Sequence, residues 1–399
     1  MTKLLDLKNH SVIAINQNNY TKKDNYKKVC YLDTDNITNN KINAFLKIDL
    51  TKEKLPSRAK RKCSINSIIY SSVRPNQRHF GIIKEIPKNF LVSTAFIVID
   101  VIDLEKLDPN YLYYYITQDE IIHYLQRIAE CGTSSYPSIT PLDFLNIKIK
   151  LYPLETQQKI ARTLSVLDQK IENNHKINEL LHKILELLYE QYFVRFDFLD
   201  GNNKPYQTSG GKMKFSKELN RLIPSGWSVR FLNHKIVSTY QPKTISKTLL
   251  NDSYSYSVYG GGGIIGRFTE YNHEQSEFII SCRGQCGISY LTLPKSWITG
   301  NAMVIRPTKS YTSKTYLYHT IKKYKLTNYI TGSVQPQITR QNLSTMPILI
   351  PKRKILNKWN NISSLLWNLI HNNMQATQTL TALRDFLLPL LLKQQVKPQ

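Results

Sequence analysis

Few residues of this chain stand at spacings that do chemistry by themselves. Gly261-Gly262-Gly263-Ile264-Ile265-Gly266 satisfies the GxGxxG spacing of a dinucleotide-binding turn. Such a turn works only where it ends a strand and opens a helix, so that backbone N–H groups meet a pyrophosphate. Here Arg267-Phe268-Thr269-Glu270-Tyr271 follows, a poor helix start. The segment reads instead as a flexible loop that lets backbone approach a ligand. No phosphate loop ending in Gly-Lys-Ser/Thr, no Gly-x-Ser-x-Gly and no Asn/Asp-Pro-Pro-aromatic motif occurs. The residues for nucleotide hydrolysis, acyl transfer and amino-methyl transfer are therefore missing. Asp6-Leu7-Lys8 and Asp168-Gln169-Lys170 offer the D-x-K end of a nuclease-like cluster, but neither has a carboxylate partner on an upstream strand. The nine histidines form no HxxxH or HxE pair suited to a metal. The five cysteines, Cys30, Cys63, Cys131, Cys282 and Cys286, are odd in number and lack a CxxC pair. That argues against a disulfide framework and a zinc knuckle. Neither a catalytic centre nor a metal site is expected.

The chemistry that remains is recognition of a polyanion. Lys and Arg number 54 against 29 Asp and Glu, a net charge of +25, which points to nucleic acid before other partners. The excess is uneven. Residues 1–201 hold 28 basic and 23 acidic side chains, residues 202–399 hold 26 and 6, and no carboxylate side chain lies between Glu277 and Asp385. Arg58, Lys60, Arg61 and Lys62 form one dense cluster suited to phosphates. Arg74-Pro75-Asn76-Gln77-Arg78-His79 joins a turn to side chains that make bidentate contacts with guanine or adenine edges. Ser134, Ser135 and Tyr136 lie on a small-residue loop further on. In the second half Arg283-Gly284-Gln285 takes the place of the Arg74 turn, and Ser333, Gln335, Gln337 and Arg340 take the place of the small-residue loop. Tyr259 to Arg267, with Gly261 and Gly262, adds a third loop there.

The elements that position these loops occur twice. Tyr111-Leu112-Tyr113 with Ile116 returns as Tyr316-Leu317-Tyr318 with Ile321. Tyr136-Pro137-Ser138-Ile139-Thr140 returns as Gln335-Pro336-Gln337-Ile338-Thr339. Ile68 to Arg74 resembles Phe278 to Arg283, and Val92 to Ile99 resembles Ile298 to Ile305. Both pairs are β-branched runs that read as strands. The chain is thus a diverged duplication, mixed α/β, in which each half is a small β-sheet domain with short helices followed by one long helix. At 41% hydrophobic residues it is a folded globular protein. No run of about 18 apolar residues exists, and Met1 to Lys8 carries no apolar signal core, so the cytoplasm is the expected compartment.

The first long helix carries a seam at Ile160, Leu164, Leu167, Ile171, Asn174, Asn178, Leu181, Leu185, Leu188 and Tyr192. The second carries Trp359, Ile362, Leu366, Leu369, Asn373, Ala376, Leu380, Leu383, Leu387 and Leu390. The alternating 3 and 4 spacing is a heptad pattern, and an Asn within it weakens pairing but fixes register. Asn178 and Asn373 hold the same heptad position, which predicts that the two helices pair as an antiparallel coiled coil with the globular domains at its two ends. Pro389 limits how far the second helix runs undistorted. The expected boundaries are a first domain at 1–152, a helix at 153–198, a linker at 199–222, a second domain at 223–351 and a helix at 352–394.

Pro153-Leu154-Glu155-Thr156-Gln157-Gln158-Lys159-Ile160, Phe193-Val194-Arg195-Phe196-Asp197 through Gly210-Gly211-Lys212, and Ile223-Pro224-Ser225-Gly226-Trp227 resemble segments of type I restriction–modification specificity (S) subunits. Tyr31 to Ile37 and Ser71 to Gln77 resemble that family's first recognition domain. The resemblance spans both halves. It implies two target-recognition domains, each reading half of a bipartite DNA site, with the paired helices setting the gap. It also implies a non-catalytic chain that docks two modification (methyltransferase) subunits and, in the full complex, restriction subunits. S-adenosylmethionine, ATP and magnesium would belong to those partners, leaving this chain with no cofactor of its own. One departure stands out: the second helix opens Pro351-Lys352-Arg353-Lys354-Ile355, without the Leu-x-x-x-Gln pattern of the first. The alternatives are a coiled-coil scaffold for acidic proteins and a stand-alone DNA-modifying enzyme.

Overall fold

The computed structural model of the chain describes residues 1–131, 136–251 and 254–397; Ser134 and Ser135 lie outside them. The chain divides into two compact units, Met1–Asn173 with Thr377–Gln399, and Asn174–Ala376. Both divisions fall inside long helices. Each unit therefore owns one end of each helix.

Unit 1 contains the helices α1 (Leu4–Asn9), α2 (Pro109–Ile116), α3 (Asp119–Glu130) and α4 (Pro141–Leu145), and α5 (Leu154–Tyr189) begins there. Its central antiparallel sheet has the order Ile13–Ile15, Phe96–Val101, Ile68–Ser71, Phe80–Ile82. A second sheet runs Leu46–Asp49, Lys28–Leu32, Phe90–Ser93, Ala59–Arg61, with its middle pair parallel. Ile68-Ile69-Tyr70-Ser71 is buried throughout. A strand covered on both faces reads as such a continuous apolar run.

Unit 2 contains α6 (Lys314–Lys322), α7 (Arg340–Leu343) and the first part of α8 (Arg353–Leu392). Its central sheet repeats the order: Val237–Tyr240, Ala302–Pro307, Phe278–Ser281, Ser289–Leu291. Its second sheet has three strands, Gly263–Phe268, Tyr256–Gly260, Trp297–Ile298; the first two pair antiparallel and the last two parallel. The duplication reaches individual hydrogen bonds. Tyr111 donates its hydroxyl to the Lys150 carbonyl at 2.6 Å and Tyr316 to the Leu349 carbonyl at 2.5 Å. Thr140 caps α4 through the Asp143 N–H, and Thr339 caps α7 through the Asn342 N–H. The segment 199–222, expected as a linker, holds a hairpin of Met213–Ser216 with Arg221–Pro224. Phe198 stacks on Trp227 at 5.3 Å, beside Phe193 and Phe196.

The long helices meet within each unit, and the residues of unit 2 show the pairing to be antiparallel. In unit 1, Arg384 pairs with Asp168 at 2.9 Å, and the Tyr114 hydroxyl donates to the same carboxylate at 2.6 Å. In unit 2, Asn373 Nδ2 donates to Asn178 Oδ1 at 3.0 Å. In the same unit His182 lies 5.1 Å from Trp367 and Tyr189 5.8 Å from Trp359, so as the number rises on α5 it falls on α8. Leu164, Leu185 and Trp359 are buried in the pairing face, and Leu167, Ile171, Asn174, Asn178, Leu181, Leu188, Leu366, Asn373, Leu380 and Leu387 are half-buried. Four seam positions are corrected: Ile362, Leu369 and Leu383 are 36%, 43% and 43% exposed, and Ala376 is exposed as well. Ser363, Trp367, Ile370 and His371 are buried in their stead. The first turns of α8 also pack on their own domain, where Thr315 and Ser363 share a hydrogen bond of 2.8 Å. That second contact rotates the buried face away from a strict heptad stripe, and the polar Ser363 and His371 hide the rotation.

His319 and His371 titrate against stability. Both are buried, His319 stacked on Tyr189 at 5.6 Å and His371 5.9 Å from Trp367. Burial, with Lys322 near the first and Lys314 near the second, pushes them down to about 3 and about 4. An unfolded chain takes up these protons near pH 6.5, and the folded chain does not. Stability is therefore full above that pH and falls between pH 6.5 and about 4, by up to about 1.4 kcal/mol per pH unit for each histidine. Melting followed by circular dichroism at pH 7.5 and 5.0 should show the drop, and His319→Phe should lessen it, leaving the part due to His371. A melting temperature equal at both pH values would contradict this.

Candidate nucleic-acid interface

In unit 1 the strand Ile68–Ser71 delivers the chain into Arg74–His79. A 3-10 turn at Pro75–Gln77 has Arg74 at φ 48° and Arg78 at φ 57° on either side. Left-handed backbone at two arginines costs energy, and such strain persists where the surroundings over-determine it. The surroundings are visible. The Arg74 N–H donates to the Pro137 carbonyl at 2.9 Å and the Asn76 N–H to Gln126 Oε1 at 3.1 Å. His79 spans the Ile37 carbonyl at 2.5 Å and the Gln77 side chain at 3.2 Å. Asn76 and Gln77 are left exposed. The bridge between Val73 and Ser138 brings the small-residue loop alongside, and the Arg74 guanidinium lies 5.2 Å from the Tyr136 ring centroid.

Unit 2 builds the same junction. The Ile338 N–H donates to the Cys282 carbonyl at 3.0 Å, as the Ile139 N–H does to the Ser72 carbonyl at 2.8 Å. Arg283 bridges to Gln337 where Val73 bridges to Ser138. The third loop joins them: a Cβ on Gly261 would stand 2.7 Å from the Arg283 carbonyl oxygen. Gly262 sits beside Gln285, where a Cβ would stand 3.8 Å from Oε1. Arg283, Gln285, Ser333, Gln335, Gln337 and Arg340 are all exposed. Among the described residues no carboxylate pairs with Arg283 or Arg340. Glu277, the nearest acid before the acid-free stretch, is occupied by Arg306 at 2.7 Å.

Several expected contacts are engaged elsewhere. Tyr259 is 3% exposed and its hydroxyl accepts from the Leu293 N–H at 3.0 Å, which makes it a core residue. Arg267 pairs with Ser257 along its hairpin, away from the Gly261–Gly262 turn, and donates to the carbonyls of Tyr254 and Ser255. Lys62 pairs with Asp24 at 2.5 Å and holds that carboxyl below its usual range. The Arg61 guanidinium is partly buried and reaches the Thr94 carbonyl at 3.4 Å. Arg58 and Lys60 stay exposed. Arg78 pairs with Asp119 at 2.7 Å. That pair is open to solvent, worth about 0–1 kcal/mol, and is readily exchanged for a phosphate.

The catalytic candidates resolve into structure. The GxGxxG segment is a strand–turn–strand hairpin with no helix after it, so it is not a dinucleotide turn. Asp168 serves the helix pair, and Asp6 accepts the Lys3 N–H at 3.1 Å. Among the described residues no group of three His, Cys, Asp or Glu is placed to hold a metal. Gln157 of the Leu154–Gln158 motif is buried. Its amide meets the Asp108 N–H and the carbonyls of Lys106 and Tyr152 at 2.7–3.0 Å. Sequence reasoning missed Gln126, the anchor of the Asn76 turn, because a partner 50 positions away leaves no local signal.

The family model described as the type I restriction modification DNA specificity domain matches residues 7–183 and again residues 224–380. The chain belongs to this family. Each match takes in one β-sheet domain and most of the long helix after it. The chain is 23% identical to the type I restriction enzyme HindI specificity subunit of Haemophilus influenzae, over 93% of this chain and 95% of that one. It is 24% identical to the MjaIX specificity subunit of Methanocaldococcus jannaschii, over 73% and 70%. The fold is similar to the S subunit of the type I system from M. genitalium, with a TM-score of 0.58 and 17% identity over 98% and 95%. The chain is accordingly a type I restriction–modification specificity subunit whose function is DNA sequence recognition. No helix among the described residues is long and apolar enough to cross a membrane.

Proposed function

We propose that each unit reads one half of a bipartite duplex site from the loop junction described above. Arg74, Asn76 and Gln77 act for unit 1, and Arg283, Gln285, Gln335 and Gln337 for unit 2. Arg58, Lys60 and Arg340 contact phosphates and give binding a steep salt dependence. One observation carries the reading. The same backbone hydrogen bonds hold the same two loops in both units, yet the exposed residues on them differ. Two readers of common origin and different specificity have this form.

The chain itself transfers no group in this reading. Two modification subunits dock on it, restriction subunits join in the full complex, and S-adenosylmethionine, ATP and magnesium are bound by those partners in the cytoplasm. What supports docking is the apolar surface the helix pair leaves open: Ile177, Leu180, Ile184 and Leu187 on α5, and Leu365 on α8, are 44–62% exposed. A 3-4-3 stripe outside the pairing face is the pattern a further helix packs on. At the start of α8, Ile355 is buried four residues after Pro351, as Gln157 is four residues after Pro153 on α5.

The test is methylome sequencing of a host carrying this gene with its cognate modification subunit, against a host carrying the modification subunit alone. A new bipartite methylated motif with a fixed gap is expected. No new motif, with both proteins expressed, would overturn the proposal.

A further inference from the structure

In unit 2 the residues between Ile330–Thr331 and Gln337–Ile338 close a short antiparallel pair. That pair is held firmly. Asn342 Nδ2 donates to the Tyr329 carbonyl at 3.1 Å and to Thr331 Oγ1 at 3.3 Å, and Gln337 is bridged to Arg283. Gly332 takes φ +90°, and a Cβ there would stand 2.5 Å from the Gln335 carbonyl oxygen, so the turn requires glycine. Beyond it stands Val334, 91% exposed, more than any other large apolar side chain among the described residues.

A single exposed valine is ordinary on a protein surface. This one differs in its setting. The neighbouring exposed residues, Ser333, Gln335, Gln337 and Arg283, all carry groups that hydrogen-bond base edges or phosphates. No carboxylate lies in the sequence from 278 to 384 to repel a duplex. Valine branches at Cβ, so it offers two methyl groups with little rotamer freedom to lose on contact. In the major groove only one base presents an apolar group, the C5-methyl of thymine.

We propose that Val334 is a specificity-determining residue that contacts the C5-methyl of a thymine in the half-site read by unit 2. The inference rests on the DNA-recognition reading above and extends it to a base. Gln335 and Gln337 supply hydrogen bonds beside it, and Val334 discriminates by a contact that a hydrogen-bonding side chain does not make.

The experiment uses the complex assembled with its modification subunits and duplexes carrying the methylated motif. Each thymine of the motif is replaced singly by deoxyuridine, which keeps base pairing and removes only the methyl. All cytosines are unmodified, so thymine is the sole source of a C5-methyl. With the unaltered protein, one position in one half-site should lose about fourfold in affinity, the worth of burying one methyl group. With Val334→Ser, thymine and deoxyuridine should bind equally at that position. Unchanged circular dichroism and an unchanged response at the other half-site confirm a folded variant. A deoxyuridine scan without any loss, or the same loss in both proteins, overturns this inference and leaves the recognition reading standing. A host methylome with no bipartite motif overturns that reading and the inference together.

Discussion

A complex built on a chain lacking Gln169–His175 and Ala376–Ala382 is expected to modify a site whose gap is shorter by up to about three base pairs. α5 carries the chain out of unit 1 into unit 2, and α8 carries it back. The two deleted segments lie between the paired residues Asp168 with Arg384 and Asn178 with Asn373, so both anchors survive. Seven residues of helix measure about 10.5 Å, and a base pair rises about 3.4 Å. Seven residues also turn the helix through nearly two full turns, leaving a net rotation of about 20°. The pairing face is thus restored after the cut. Three base pairs, by contrast, turn the duplex by roughly 100°. The new gap is therefore a compromise between length and groove phase, and weaker modification should accompany it. Methylome sequencing of a host carrying the double deletion reads the outcome directly. An unchanged gap would sink the idea that the helices set the spacing.

Arg283→Ala is expected to lower modification about 10- to 100-fold and to relax specificity at one base pair, in the half-site read by unit 2 alone. Arg283 is exposed and touches Gln337 through the backbone bridge, which alanine keeps. Folding should survive the change. A bidentate arginine contact to a base edge is worth about 1–3 kcal/mol of discrimination. Arg340→Ala makes the contrast. A lost phosphate contact weakens every sequence alike and lowers the salt slope by about one. Methylation rates on duplexes varied at each position separate the two. Arg283→Ala with unaltered preferences at every base pair would remove that residue from the reader.

Much of this was legible in the residues. The duplicated Tyr-Leu-Tyr, small-residue loop and β-branched runs predict two like domains. The predicted match of Ser72 with Cys282 and of Ile139 with Ile338 is the match the backbone hydrogen bonds make. The Asn178 and Asn373 layer was readable too, because a polar residue in an apolar seam is a local anomaly. The engagement of single cations was not readable. Lys62 with Asp24 and Arg78 with Asp119 are 38 and 41 positions apart, and composition treats a paired lysine and a free one alike.

The sequence by itself determined the repeat, the two long helices with their register residues, the net charge and the absence of a catalytic motif. These are properties of local pattern and composition, and each is set within a few turns or strands. The tertiary structure decided which loops converge and which members of each basic cluster are left exposed. It also decided which face of α8 is buried. Those outcomes depend on partners supplied from distant segments: Gln126 for the Asn76 turn, Arg306 for Glu277, the domain under Trp367. A residue's availability is a property of what packs against it, and no stretch of chain contains its own neighbours.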